Sequence, residues 1–171
     1  QSKDLQILTP TILKAAFKDV ISVKRVRIGN VASTTSGTTP SRSRKDYWEP
    51  AKYPWIKTGE VVFEPIHTAE EKVSEKAFQE CSLSLLPPGT VLIAMYGQGK
   101  TRGQSAVLEV EATTNQACFA IPPNEAFEPE YLQYWLRHSY AALRTLSEAR
   151  GGNQSNLNGA ILNDFEVPLI P

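Results

Sequence analysis

A chain of 171 residues that is 41% hydrophobic has the material for one domain with a real core, not for a peptide or a pair of domains. No apolar run approaches the ~20 residues needed to cross a bilayer, and the start lacks the basic-then-apolar layout of a secretory leader, so a soluble, cytoplasmic protein without membrane contact is expected. The net charge of zero argues against a general polyanion binder, yet the first 60 residues hold eleven Lys and Arg against five Asp and Glu. That asymmetry permits one basic face opposite an acidic one, and sequence-specific binding needs a local patch more than a basic whole. Cys81 and Cys118 lie far apart with no C-x-x-C spacing or nearby histidine pair, so buried free thiols are expected rather than a disulfide or a zinc site.

Residues 5–20 place Ile12, Leu13, Ala16, Phe17 and Val20 at helical spacing after Thr9-Pro10, where Thr9 can cap and Pro10 can sit in the first turn. Val23 to Ser33 is rich in β-branched residues and reads as a strand. It leads into Gly37 to Glu60, where turn formers, cations and aromatics crowd together. A helix cannot run through Thr39-Pro40-Ser41. Arg42, Arg44, Lys45, Tyr47, Trp48 and Lys57 then interleave cations and flat rings, a pattern suited to a polyanion whose phosphates and base edges are met together. The alternative is a solvated turn whose aromatics tuck into the core. Short strands are expected at Trp55-Ile56-Lys57 and Val61 to Phe63, and a surface helix over 68–82.

A proline-glycine turn and an apolar strand fill Leu83 to Tyr96. Ala94 to Thr101, AMYGQGKT, fits a relaxed phosphate-loop pattern, but such a loop must open a helix at Gly-Lys-Thr, and the following Ser105 to Val110 has strand character. A glycine-rich connection between two strands is the better reading. It would present Gln98, Lys100, Arg102 and Gln104, of which Gln and Arg can pair bidentately with adenine and guanine edges.

Asn115 and Gln116 precede a short buried strand, Ala117 to Ile121, and could reach a base, although amides there more often satisfy backbone. Glu128-Pro129-Glu130 opens a long helix to about Ser147, with an apolar stripe from Tyr131 to Leu146. His138 has no acid or nucleophile pattern around it, which points to a surface or capping residue. Arg150 to Asn158 ends the helix with glycines and offers Arg150, Asn153 and Gln154, and Ala160 to Pro171 forms a brief helical turn and a final extended stretch.

No nucleophile with a base, no metal cluster and no methyl-donor pocket is legible, so neither enzyme chemistry nor a cofactor is expected. The order of Gly37, Thr39-Pro40-Ser41, Tyr47-Trp48, Pro54-Trp55-Ile56, Leu85 to Leu92, Thr114-Asn115-Gln116 and Gly151 to Pro171 resembles a target recognition domain from the DNA-specificity subunit of type I restriction-modification systems. The resemblance implies an α+β fold, a mixed, twisted, partly closed β-sheet with one long helix packed on it. Residues 1–20 would be the tail of a conserved spacer helix, and 21–171 a single recognition domain, the second of two, ending where the next spacer begins. It implies a non-catalytic reader of one half of a bipartite double-stranded DNA target through the major groove, with methyltransferase and restriction-translocase subunits as partners. Arg42, Arg44, Lys45 and Lys57 would mainly grip phosphates, and Thr39, Ser41, Tyr47, Gln98, Lys100, Arg102 and Gln154 would meet base edges. The rival readings are a recognition domain inside a single-chain restriction-methylation enzyme, an interaction module that has kept the fold, and a phosphate-loop protein.

Overall fold

The computed structural model describes residues 11–12, 14–18, 23–97, 99–148 and 156–169. Its centre is a four-stranded antiparallel sheet ordered β2-β8-β5-β6, built from β2 (Thr35–Ser36), β5 (Val91–Ala94), β6 (Ser105–Val107) and β8 (Cys118–Ile121). Successive side chains on β5 and β8 point to opposite faces. Val91, Ile93, Phe119 and Ile121 enter one core, while Leu92, Ala94, Cys118 and Ala120 enter a second on the other face. Burial on both faces explains why these two strands read as unbroken apolar runs.

The first core is closed by helices α3 (Pro129–His138), α4 (Tyr140–Glu148) and α5 (Gly159–Asn163). The long helix expected from Glu128 to Ser147 is therefore two helices meeting at Ser139, although Leu143 N–H still donates to Ser139 O at 2.9 Å. Leu132, Trp135, Leu136 and Leu143 of the expected stripe are buried, whereas Leu146 is exposed. Phe17 packs edge-on to Trp135 at 5.1 Å, and both rings flank His138, so that histidine is part of an aromatic cluster rather than a cap.

The second core lies between the central sheet and a three-stranded sheet ordered β4-β3-β7, made of β3 (Tyr53–Ile56), β4 (Glu71–Val73) and β7 (Thr113–Thr114). A two-stranded ribbon pairs β1 (Arg25–Arg27) with β9 (Glu166–Pro168). The α+β class holds, but the strands form three separate sheets and none of them closes.

Local departures from the sequence expectations have local causes. The strand read over Val23 to Ser33 stops at Arg27, because Ile28 turns fully into the core and opens a short helix, α1 (Ile28–Val31). A Cβ on Gly29 would lie 2.9 Å from Asn163 Cβ, so α1 crosses α5 at a distance only glycine allows. Val61 to Phe63 forms no strand: a 3-10 turn at Thr58–Glu60 drops Val61 into the second core, and Phe63 takes φ 67°. The helix read over 68–82 divides into β4 and α2 (Glu75–Glu80), where Ser74 Oγ caps Ala77 N–H and donates to Asp46 O at 2.6 Å. Cys81 and Cys118 are free, and burial pushes the Cys118 thiol up to about 12. No described helix is long and apolar enough to cross a membrane.

Candidate nucleic-acid interface

β2 and β5 end, and β6 and β8 begin, at the same end of the central sheet. Backbone hydrogen bonds tie the segments there into one surface: Thr38 N–H to Thr114 O at 3.0 Å, Asn115 N–H to Ile56 O at 3.0 Å, Met95 N–H to Ala117 O at 2.8 Å, and Leu157 N–H to Met95 O at 3.0 Å. The aromatic-basic loop, the glycine-rich connection and the Asn115-Gln116 step, far apart in sequence, thus share one end of the domain.

Thr39 and Gln116 are exposed there and joined by a hydrogen bond from the threonine hydroxyl to the amide oxygen. Ser41 is exposed beside Ser43, and its carbonyl accepts from the Trp48 indole at 3.1 Å. Trp48 stands edge-on to the buried Trp55 at 5.2 Å, and Tyr47 and Trp48 pack against the small core of Trp55, Val73, Ala77 and Leu83. The aromatics therefore stiffen the loop from beneath, as the solvated-turn alternative expected of them.

The cations are engaged as well. Arg42 lies 3.8 Å over the Trp48 ring and forks onto Glu71, which also takes Lys57 at 2.9 Å; Lys57 reaches Glu70 at 2.8 Å. Arg44 stacks 4.3 Å from the Tyr47 ring and pairs with Asp46 at 2.6 Å, and Lys76 meets the same carboxylate at 2.8 Å. Lys52 pairs with Glu75. Among these cations only Lys45 is exposed without an ion pair. The acidic surplus after residue 60 thus lies partly against the basic loop and not on an opposite face. Antiparallel pairing sets Glu71 across from Trp55, so the bracing acids follow from a strand register that the sequence reading of 68–82 as a helix could not contain.

These contacts shift the titrating groups. Arg42, then Lys57, holds the Glu71 carboxyl down at about 2, and Arg44 and Lys76 hold Asp46 well below the usual carboxylate range. A hydrogen bond to Glu80 pushes Tyr47 up to about 12. Because the folded carboxylates are depressed, their stabilisation is present above their ordinary values and is lost as pH falls through the folded ones. In a Trp135→Phe background, which removes the indole beside His138, tryptophan fluorescence from the Trp48–Trp55 pair should accordingly stay constant from neutrality to about pH 4.5 and change between there and about pH 2. A midpoint above pH 5 would show that the loop is not held by these pairs.

On the second loop, Gly99 and Lys100 are exposed and lie in a turn, and the chain passes directly to β6. No described helix begins at Gly99-Lys100-Thr101, so the phosphate-loop reading lacks the dipole and N–H groups it requires. The connection is anchored: Tyr140 donates to Lys100 O at 2.6 Å and Arg144 to Arg102 O at 3.0 Å. The Arg102 side chain is 11% exposed and turned to Glu148 at 3.1 Å, and Gln104 is half-buried. Gln98, Arg150, Asn153 and Gln154 lie outside the described residues. A separate cleft of about 650 Å³ between Trp135, His138, Leu146, Ile161 and Phe165 contains none of the residues expected from sequence to meet DNA.

Residues 21–171 match the family model described as "Type I restriction modification DNA specificity domain". Among curated proteins, the chain is 34% identical over 151 residues to the type I restriction enzyme MjaIX specificity subunit of Methanocaldococcus jannaschii, covering 85% of this chain and 33% of that protein. It is 23% identical to the EcoR124I/EcoR124II specificity subunit of Escherichia coli, covering 83% and 35%. It therefore spans about a third of the length of these relatives. The HsdS subunit from Thermoanaerobacter tengcongensis superposes with a TM-score of 0.63 at 19% identity, over 99% of this chain and 40% of that one. The type IIG restriction endonuclease BpuSI shares the fold with a TM-score of 0.62 at 10% identity, over 94% and 26%. On the strength of a match that runs from residue 21 to the last residue, the chain belongs to the type I restriction modification DNA specificity domain family.

Proposed function

We propose that this domain reads a short stretch of double-stranded DNA as the recognition part of a specificity subunit, one half of a bipartite target, while separate methyltransferase and restriction-translocase subunits supply the chemistry. The family match carries the reading, and the convergence of the loops at one end of the central sheet supports it. Division of labour within the surface follows from residue type and exposure. Lys45 is the exposed cation best free to meet a phosphate, with Arg42, Arg44 and Lys57 available once their carboxylates yield. Thr39, Ser41, Gln116 and Lys100 are the exposed polar groups suited to base edges, with Tyr47, Gln98, Arg102, Gln104, Arg150, Asn153 and Gln154 as further contacts proposed from sequence. Trp48 supports the loop from below.

Selection from a pool of random duplexes, at low salt with excess competitor and with the domain joined in tandem so that weak half-site binding is amplified, tests this. A short enriched motif is expected. Retention without a motif would reduce the domain to a nonspecific binder, and no retention would leave the interaction-module reading. On the selected duplex, Lys45→Ala should weaken all sequences alike and flatten the slope of log affinity against log salt by about 1. Thr39→Ala should instead relax one base position, by about 1–3 kcal/mol of discrimination. The fold shared with the type IIG enzyme supports a second reading, a recognition domain within a single-chain restriction-methylation enzyme. A methyltransferase encoded in the same open reading frame would select it.

A further inference from the structure

Glu71 receives two cations from the loop, Arg42 through both guanidinium nitrogens and Lys57 at 2.9 Å. The flat face of Arg42 is fixed over Trp48 at 3.8 Å and Trp55 at 5.0 Å, so its stem is held while its fork can change partner. A guanidinium fork fits a carboxylate and a phosphate alike. The group is also accessible, with the Arg42 side chain 53% exposed and those of Lys57 and Glu71 each 31% exposed. With Glu70 on Lys57, two cations face two carboxylates, and the cluster offers an arriving polyanion no net attraction.

Building on the DNA-recognition reading, we infer that Glu71 is an internal stand-in for a backbone phosphate. It latches Arg42 and Lys57 until a duplex already docked through its base edges brings a phosphate close enough to displace it. The latch discriminates, because a random duplex must compete with Glu71 without the help of base contacts. Glu71 is then a positioning residue that suppresses nonspecific binding, and Arg42 and Lys57 add little to the electrostatic attraction of the free domain, to which the exposed Lys45 and Lys100 contribute.

The test uses the whole chain and two probes, immobilised heparin and a random-sequence duplex. Glu71→Gln should elute from heparin at higher salt, bind the random duplex about three- to tenfold more tightly, and steepen its salt slope by about 1. A brace with no latching role predicts no more than the gain from losing any one exposed carboxylate, as in Glu49→Gln, and a Glu71→Gln shift no larger than that one overturns the inference. A second comparison avoids any folding defect of that variant: with Glu71 in place, Arg42→Gln should lower heparin retention less than Lys45→Gln does. Equal losses would mean that Arg42 is already available, and the latch would fall. Heparin separates the two proposals. If the Glu71→Gln shift on heparin appears while no duplex is ever selected, DNA reading fails and takes with it the role of Glu71 as a phosphate stand-in; if a motif is selected and the shift is absent, the latch alone fails.

Discussion

Gly37→Ala should destabilise the domain by about 3 kcal/mol or more and abolish binding to a selected duplex, the largest effect expected of a methyl group added at any of the described glycines. A Cβ at Gly37 would lie 1.8 Å from the carbonyl oxygen of Thr114 and 2.3 Å from its carbonyl carbon. Those atoms are backbone, so no side-chain rotation can relieve the clash, and the chain must separate where Thr38 N–H meets Thr114 O at 3.0 Å. That hydrogen bond fixes the start of the aromatic-basic loop against β7. Moving Thr38 also removes the acceptor of the Trp55 indole N–H, now at 3.0 Å. Urea unfolding followed by intrinsic fluorescence gives the loss of stability from the shift in midpoint. Gly59→Ala is the matched control: its Cβ would meet nothing within 4 Å, and its stability should stay within about 0.5 kcal/mol of the parent. If the two alanines behaved alike, the close approach at Gly37 would not be what seats the loop.

The contrast between these glycines also marks what could be read from sequence. β5, β8 and the helical region from Pro129 were legible because burial on a whole face, or on both, writes itself as long apolar runs or helical spacing. Thr35–Ser36 and Thr113–Thr114 were not, since a strand of two residues has no periodicity and exists only because a neighbour pairs with it. Glu71–Val73 was read as helix because its Glu and Lys fit i to i+4 spacing, and pairing with Tyr53–Trp55 overrides that local preference. The basic loop itself was visible as composition, as was the glycine-rich hairpin. The partners of its cations were not, because Glu70, Glu71 and Glu75 reach the loop only through the β3–β4 register, and a shift of one residue would turn Glu71 to the other face. The break at Ser139 was hidden by an apolar pattern that continues through it.

Trp55→Ala should cost about 3–5 kcal/mol, the range for removing a large buried aromatic, and should depress affinity for every duplex where the protein remains folded. Trp55 is 2% exposed at the centre of the small core with Val73, Ala77 and Leu83, and its upper edge carries Trp48. One side chain therefore links the β3–β4 pair to the loop above it. Its loss leaves a cavity, frees Trp48 to move, and removes part of the aromatic platform beneath Arg42. Trp55→Phe separates packing from hydrogen bonding. It keeps most of the ring contact but leaves Thr38 O without its indole donor, so a loss of about 1–2 kcal/mol is expected. Native-state hydrogen exchange at Thr38 and Asn115, whose amides bind Thr114 O and Ile56 O, reports whether the damage stays local. Faster exchange at Thr38 with Asn115 preserved would place Trp55 in the seating of the loop alone. Faster exchange at both would mean that the loop and the β3–β7 pairing open together, so that the recognition surface and the second core form one cooperative unit.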